Sequence, residues 1–168
     1  MIFQPQQIVL VDTNVIIETH RTGCWNSLAN FFHLETVETC VVETQTGYQN
    51  RSPEQTISDA LLRQQLKNIA NISEIQKAEF FINYKNAPAL DEGELHLLIH
   101  ALTRNDKWLI NSPDLAAMRF ACKNGFDERL ISLETMVRRV KAQLAAPLQP
   151  QYTEAWQTHK KTQMLLGM

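Results

Sequence analysis

A run of four consecutive apolar residues near the N-terminus, Ile8–Val11, restricts the possible folds of this chain more than any other feature. Because the run is short, continuous and rich in β-branched residues, it predicts a strand that is buried on both faces. Strands of this kind belong to parallel sheets, whose two faces are covered by helices. The run ends at Asp12, so we expect an acidic residue at the carboxyl end of a buried strand.

Helical and extended patterns alternate along the rest of the chain. Further strands are predicted over residues 39–42 and 108–110, and a short one over 130–132, while a loop covers 47–53 and Pro88 closes a helical region. Helices are predicted over residues 14–20, 24–32, 54–69, 73–84, 91–104, 114–124 and 134–144. This alternation predicts a doubly wound α/β fold, in which ligands bind beyond the carboxyl ends of the strands.

The length of 168 residues, with 44% hydrophobic and 20% charged residues, predicts a single globular domain. Prolines at 147 and 150 indicate a linker before a last predicted helix over 152–166. We therefore divide the chain into a domain over residues 1–146 and a C-terminal linker with an appended helix over residues 147–168.

Two features predict a cytoplasmic protein without a membrane segment. No stretch approaches the roughly 18 apolar residues of a membrane span, and the N-terminus has no basic leader. The three cysteines, Cys24, Cys40 and Cys122, are far apart and lack CxxC spacing, so we expect reduced and mostly buried thiols.

Charge is distributed unevenly. Residues 1–118 carry 8 Lys/Arg against 14 Asp/Glu, and residues 119–168 carry 8 against 4, so the two parts have charges of −6 and +4. An acidic centre beside a basic flank suits a metal-dependent enzyme that acts on a polyanion, although ordinary surface composition gives the same asymmetry. Arg138, Arg139 and Lys141 could contact an RNA backbone or form an ordinary charged helix face.

Three acidic residues fall at or just past the carboxyl ends of predicted strands: Asp12, Glu43 and Asp114. Because the carboxyl ends of parallel strands lie at the same edge of a sheet, we expect these residues at one edge. The alternative for Asp12 and Asp114 is that each caps the following helix by accepting hydrogen bonds from its free amides. Glu43 would be a poor cap.

Glu94 lies in the middle of the apolar arc of its predicted helix. With about 100° per residue, five apolar residues surround it on the wheel: Leu95, Leu97, Leu98, Ala101 and Leu102. Burying an unpaired carboxylate is costly, so a cation, a hydrogen-bond network or a cleft is expected beside it. The alternative is a capping box with Asp91, and the two interpretations can coexist.

His96 and His100 lie on the polar side of the same helical wheel. Their i, i+4 spacing is that of a zinc-binding pair, but Leu97 replaces the glutamate of an HExxH motif. We therefore interpret both as solvated surface histidines.

Carboxylates gathered at one sheet edge would repel one another without cations. Oxygen ligands without Cys or His suit Mg²⁺ or Mn²⁺ rather than zinc. One or two such ions can activate a water molecule and stabilise the leaving oxygen in phosphodiester cleavage. The predicted ligands are Asp12, Glu43, Glu94 and Asp114.

Taken in order, the four acidic motifs resemble those of the PIN domain, the nuclease fold that includes the VapC toxins of bacterial toxin–antitoxin pairs. The motifs are VDTNVII at 11–17, VVET at 41–44, LDEGELHLLIHAL at 90–102 and INSPDLAAMRFA at 110–121. The resemblance covers about residues 7–132, and the tail from Pro147 exceeds the usual length of these toxins.

The resemblance implies a three-layer α/β/α sandwich with a short parallel sheet of four to five strands. It also implies a ribonuclease that hydrolyses RNA with Mg²⁺ or Mn²⁺, in which Thr13, Asn14 and Ser112 are supporting polar groups. A toxin of this type would form a homodimer and would have an antitoxin that directs Arg or Lys toward the acids.

Two other functional classes stay open. One is a PIN-like binding or scaffold module that keeps the pocket without activity. The other is a phosphatase built on a strand-end aspartate, but such enzymes need a second aspartate at the position of Asn14.

Overall fold

A computed structural model describes residues 3–46, 56–85, 87 and 89–168 of the chain. These residues form four strands: β1 (Ile8–Val11), β2 (His33–Val37), β3 (Asn68–Ala70) and β4 (Trp108–Asn111). The strands build one sheet in the order β3-β2-β1-β4, and all three pairings are parallel. All four carboxyl ends therefore lie at the same edge of the sheet.

The described residues also form nine α-helices. They are α1 (Thr13–Arg21), α2 (Trp25–Phe31), α3 (Glu38–Gln45), α4 (Asp59–Gln65), α5 (Glu74–Asn83), α6 (Glu92–Leu102), α7 (Leu115–Lys123), α8 (Leu133–Val140) and α9 (Glu154–Leu165). None of them is long and apolar enough to cross a membrane.

Helices cover both faces of the sheet. In β1, Val9 and Val11 belong to one hydrophobic cluster, and Leu10 between them belongs to another. The first cluster contains side chains of α1, α2, α4 and α8, and the second contains side chains of α5, α6 and α7. The predicted α/β fold with a parallel sheet is confirmed, and its layers form an α/β/α sandwich.

Several predicted elements are confirmed. The first strand occupies Ile8–Val11, and the helices predicted over 73–84, 91–104 and 114–124 correspond to α5, α6 and α7. Just beyond α7, Gly125 has a φ of 74°, a conformation that favours glycine. All three cysteines are free thiols and buried, as expected.

The strand predicted over residues 39–42 is wrong, because these residues lie within α3. The actual strand is β2, whose sequence HLETV places the charged Glu35 inside the sheet. The β-branched run of α3 is buried on two sides, with Cys40 in one hydrophobic cluster and Val41 in the other. Glu43 is therefore carried by a helix and not by a strand end.

The helix predicted over 54–69 is also partly wrong. Its described part contains the shorter α4, which is followed by the three-residue strand β3. The predicted loop over 47–53, the start of that helix and Pro88 lie outside the described residues. The strand predicted over 130–132 is reduced to one bridge between Leu130 and Ile110.

The C-terminal region packs closely on the rest of the molecule. The helix predicted over 152–166 is α9, which packs against α7 and α8. Tyr152, in a short 3-10 turn before it, is only 6% exposed and belongs to the first hydrophobic cluster.

Glu35 is the centre of a buried ionic cluster that the sequence did not predict. Its carboxylate accepts hydrogen bonds from both Nη atoms of Arg104 and from Asn68 Nδ2 at 3.1 Å, and lies 2.9 Å from His100 Nε2. Burial alone would raise the pKa of Glu35, but hydrogen bonds from His100, Arg104 and Asn68 outweigh it and lower the pKa to about 2. The carboxylate therefore stays ionised inside the fold.

The prediction that His96 and His100 are solvated is wrong. His100 contacts Glu35, and His96 is 7% exposed with its Nδ1 atom 2.6 Å from Thr39 Oγ1. The wheel placed both histidines opposite the apolar arc, but α6 is covered by β2 and α3 on that side as well.

We predict that Glu35→Gln destabilises the protein by roughly 3 kcal/mol at pH 7, because Arg104 loses its buried anionic partner. Since the folded pKa is about 2 and the ordinary value is 4.5, the wild-type contribution is present above pH 4.5 and is lost as the pH falls toward 2. Urea unfolding measures both effects. The exposed control Glu79→Gln should change stability by less than about 0.5 kcal/mol, and an equally small loss in Glu35→Gln would contradict the assignment.

Candidate metal centre

Asp12 is a buried carboxylate at the carboxyl end of the central strand. Its backbone N–H donates to Asn111 O at 3.2 Å, which fixes it beside the end of β4. It occupies the N-cap position of α1, but its side chain makes no capping hydrogen bond, and Oδ2 is buried without a partner. The capping alternative therefore does not explain this residue.

The pKa of Asp12 reflects this environment. Burial raises it to about 7, and repulsion from Asp91 and Glu43 adds to the increase, against the opposing effect of the backbone amides of Thr13 and Asn14. A carboxylate in this state binds either a proton or a cation at neutral pH.

Glu43 reaches the same region from α3. Its Oε2 accepts a hydrogen bond from Thr13 Oγ1 at 2.6 Å. The first turn of α6 passes so close that a Cβ atom on Gly93 would lie 2.8 Å from this oxygen. Burial raises the pKa of Glu43, and the charges of Asp91 and Glu92 raise it further, while the Thr13 bond lowers it.

Glu94 is 8% exposed and is also part of a capping box. Its backbone N–H donates to Asp91 Oδ1 at 2.8 Å, and its Oε2 accepts from the Asp91 N–H at 3.2 Å. The capping-box alternative is therefore confirmed, and a cation beside Glu94 stays a prediction. Burial raises the pKa of Glu94 to about 8, and a hydrogen bond and repulsion from Asp114 contribute to the rise.

Asp114 caps α7, as the alternative interpretation expected. Its Oδ1 accepts from the Ala117 N–H at 2.8 Å, while its own N–H donates to Ser112 Oγ at 3.2 Å. Ser112 is 2% exposed, so it steadies the turn from inside the fold. The Asp114 carboxylate also interacts with Glu94 and raises its pKa.

The four predicted acids are thus linked only electrostatically: Glu43 raises the pKa of Asp12, and Asp114 raises the pKa of Glu94. Asp91, expected only as a cap, raises the pKa of Asp12, Glu43 and Glu94, so it belongs to the same electrostatic group. Among the residues that the structure describes, no three Asp, Glu, His or Cys side chains are arranged as ligands of one ion.

The residues nevertheless fit a hard divalent cation. Asp12 Oδ2 is a buried oxygen without a partner, and the neighbouring carboxylates have pKa values raised by burial and mutual repulsion. A cation at this point would be a partner for Asp12 Oδ2 and would reduce the repulsion among the carboxylates. Carboxylate oxygens are the ligands that Mg²⁺ and Mn²⁺ prefer.

Of the three basic residues predicted to contact RNA, Arg139 lies away from these acids. Arg138, Arg139 and Lys141 occupy the last turn and the end of α8. Arg139 Nη2 donates to Phe3 O at 3.0 Å, which places it before β1, at the amino edge of the sheet. Arg138 forms an ion pair with Glu154 at 2.8 Å.

The sequence did not predict that His96 lies near Glu43. It lines a cleft with Glu43 and Glu92 between α3 and α6, and its buried Nε2 has no hydrogen-bond partner. Only the packing of α3 against α6 brings these side chains together, and no sequence pattern signals that contact.

Comparisons with protein-family models, with curated proteins and with solved structures find no match for this chain. Its function must therefore be inferred from the acids themselves and from the resemblance of their motifs.

We predict that the metal-free protein loses stability as the pH rises from about 4 to about 7, because Asp12 has a pKa of about 7 in the fold against 3.8 ordinarily. Glu94 extends the loss toward pH 8. At pH 8 in EDTA, Asp12→Asn should exceed the wild type in stability by up to about 4 kcal/mol. Urea unfolding at pH 5 and 8 measures this. In Asp127→Asn, at the amino edge, stability should depend on pH as it does in the wild type. If stability also depends on pH as in the wild type in Asp12→Asn, the burial of an unpaired charge at Asp12 is contradicted.

We also predict that Gly93→Ala weakens Mn²⁺ binding by roughly tenfold, since the new Cβ would displace the Glu43 carboxylate. Stability should change by less than about 1 kcal/mol, because the carboxylate is the end of a flexible side chain and alanine favours a helix over glycine. Titration calorimetry and thermal unfolding measure the two effects. Thr13→Val, which removes the hydrogen bond to the same carboxylate, should act in the same direction; unaltered affinity in both variants would remove Glu43 from the site.

Proposed function

We propose that this protein is a divalent-metal-dependent endoribonuclease of the PIN type. The observation that carries the proposal is the buried, unpartnered Oδ2 of Asp12 at the carboxyl edge of a parallel sheet, where the charges of Asp91 and Glu43 raise its pKa. The resemblance of the four motifs supports the same class. Both inferences use the same four residues, one through physical chemistry and one through sequence pattern.

Asp12 and Glu43, with Glu94 and Asp114, would hold one or two Mg²⁺ or Mn²⁺ ions, directly or through water. When bound, such ions lower the pKa of a water molecule and neutralise charge at the phosphodiester. The protein's own contribution is to hold the carboxylates in place.

Three of the four carboxylates have separate positioning contacts. Thr13 fixes the Glu43 carboxylate with a hydrogen bond of 2.6 Å, and the reciprocal bonds with Asp91 fix Glu94. Ser112 orients the turn that carries Asp114.

RNA is the proposed substrate. The acids at this edge repel a polyanion until cations are bound, so cleavage should depend strictly on metal. We extend the proposal to a cytoplasmic toxin of a toxin–antitoxin pair that acts as a homodimer. The free, buried cysteines support a reducing compartment, and the motif resemblance supports the toxin assignment.

A second candidate function is an inactive binding or scaffold module. It is favoured by the absence, among the described side chains, of three groups arranged around one ion. Titration with Mn²⁺ separates the two: the nuclease binds the ion, and a module that has lost its chemistry binds it weakly or not at all. The phosphatase alternative has no support, since Asn14 stands where its second aspartate is needed.

We predict that Asp12→Asn abolishes Mn²⁺-dependent cleavage of a fluorogenic single-stranded RNA, with a loss of at least about 100-fold. The reason is that the amide cannot supply the anionic oxygen that the cation requires. The matched control Asp127→Asn, at the opposite edge of the sheet, should cleave at the wild-type rate. Unchanged cleavage by a folded Asp12→Asn protein would refute the assignment of the site.

A further inference from the structure

The segment of residues 145–153, here called the C-terminal strap, runs alongside α1. Four hydrogen bonds join them: Ala145 N to Thr22 O at 2.9 Å, Arg21 Nη2 to Pro147 O at 2.7 Å, Gln149 N to Glu18 Oε1 at 2.9 Å, and Tyr152 Oη to Asn14 O at 3.1 Å. The partners in α1 are met in reverse order, from its end to its start. The strap therefore runs antiparallel to α1 and reaches the carboxyl edge of the sheet at Tyr152.

The strap is firmly held on the fold. Glu18 is 2% exposed and accepts two hydrogen bonds of 2.7 Å from Arg21, in addition to the strap amide. Tyr152 is buried, and its hydroxyl donates to the backbone oxygen of Asn14, two residues after Asp12, at 3.1 Å. The end of the strap is thus fixed beside the candidate metal centre.

A cleft of about 380 Å³ lies at this point between α1, the start of α7 and the strap. Asn14 and Asp114 line it on one side, and Gln149, Gln151 and Tyr152 line it on the other. Because Asp114 belongs to both the cleft and the acid group, a molecule in the cleft would lie next to the site of cleavage. The volume is in the range of small-molecule sites.

The chemistry of this cleft suits an uncharged, planar, polar group. None of the described residues that line it is Lys or Arg, and the charge of Glu18 is matched by Arg21. The other polar side chains on its walls include the three amides of Asn14, Gln149 and Gln151. Amides offer a donor and an acceptor in one plane, which matches the edge of a nucleobase, whereas a phosphate would meet the Asp114 carboxylate without a cation.

We propose that the C-terminal strap forms a nucleobase subsite beside the acid group, in which the Gln151 amide hydrogen bonds to the base of a nucleotide next to the cleaved phosphodiester. This inference rests on the proposed ribonuclease function and makes Gln151 a specificity-determining residue. Gln151 Nε2 also donates a hydrogen bond to Gln149 Oε1 at 3.0 Å, which orients its side chain from the strap.

The test measures RNA binding apart from cleavage. In an Asp12→Asn background, fluorescence anisotropy with six-nucleotide oligomers of A, C, G or U gives four affinities for each protein. Gln151→Ala should weaken binding of the preferred oligomer roughly tenfold and reduce the differences among the four. Gln151→Asn, which keeps an amide but shortens it, should show a loss of the same sign and serves as the second variant if the alanine protein is unstable.

The matched control is Gln143→Ala, an exposed glutamine before the strap and outside the cleft. Thermal unfolding should give the same midpoint for the control and for both Gln151 variants. If Gln151→Ala binds the four oligomers as the control does, the subsite is overturned and the proposed nuclease remains. If the Asp12→Asn background binds none of them and the wild type with Mn²⁺ cleaves none, the proposed function is overturned, and the subsite with it.

Discussion

The burial of Asp12 at the end of β1 is the constraint on which the other features of this edge depend. β1 pairs with strands on both sides and carries apolar side chains on both faces, so the residue that follows it has little access to water. A carboxylate in that place must be hydrogen bonded, protonated or matched by a cation. The local fold supplies too few hydrogen bonds, since Oδ2 has none.

The same molecule shows how a buried carboxylate is stabilised when its role is structural. Glu35 is as deeply buried as Asp12, yet a guanidinium, an imidazole and an amide surround it, and its pKa falls to about 2. Asp12 and Glu94 instead have other carboxylates as neighbours, and their pKa values rise to about 7 and 8. Glu35 is therefore stabilised in its ionised form, whereas burial and repulsion favour a proton or a cation on Asp12 and Glu94. This contrast is the physical argument for a cation site, independent of any resemblance.

Sequence patterns predicted the parts of this fold that depend on local signals. The first strand and α6 follow from continuous or periodic apolar residues, and the helical wheel identified the burial of Glu94 because it needed only the geometry of one helix. The strand β2 was missed because Glu35 makes its sequence look solvated, and only distant partners, His100 in α6 and Arg104 just after it, explain the charge. The β-branched run of α3 was then taken for that strand. Glu43 was assigned to the site because it was predicted to follow a strand, which is wrong. It lies in α3 instead, and the packing of that helix brings it near Asp91 and Glu92.

The C-terminal residues show a different limit of sequence analysis. Prolines indicated a linker, but a linker that is hydrogen bonded along the whole of α1 contributes to the walls of the cleft at the acid edge. The motif resemblance ends near residue 132, before the strap begins. It therefore covers the four acids but not the strap. The acids account for chemistry that any metal-dependent nuclease would share. In the proposed nuclease, the groups that distinguish its substrate would lie beside the acids, and the amides of the strap line the cleft that Asp114 also lines.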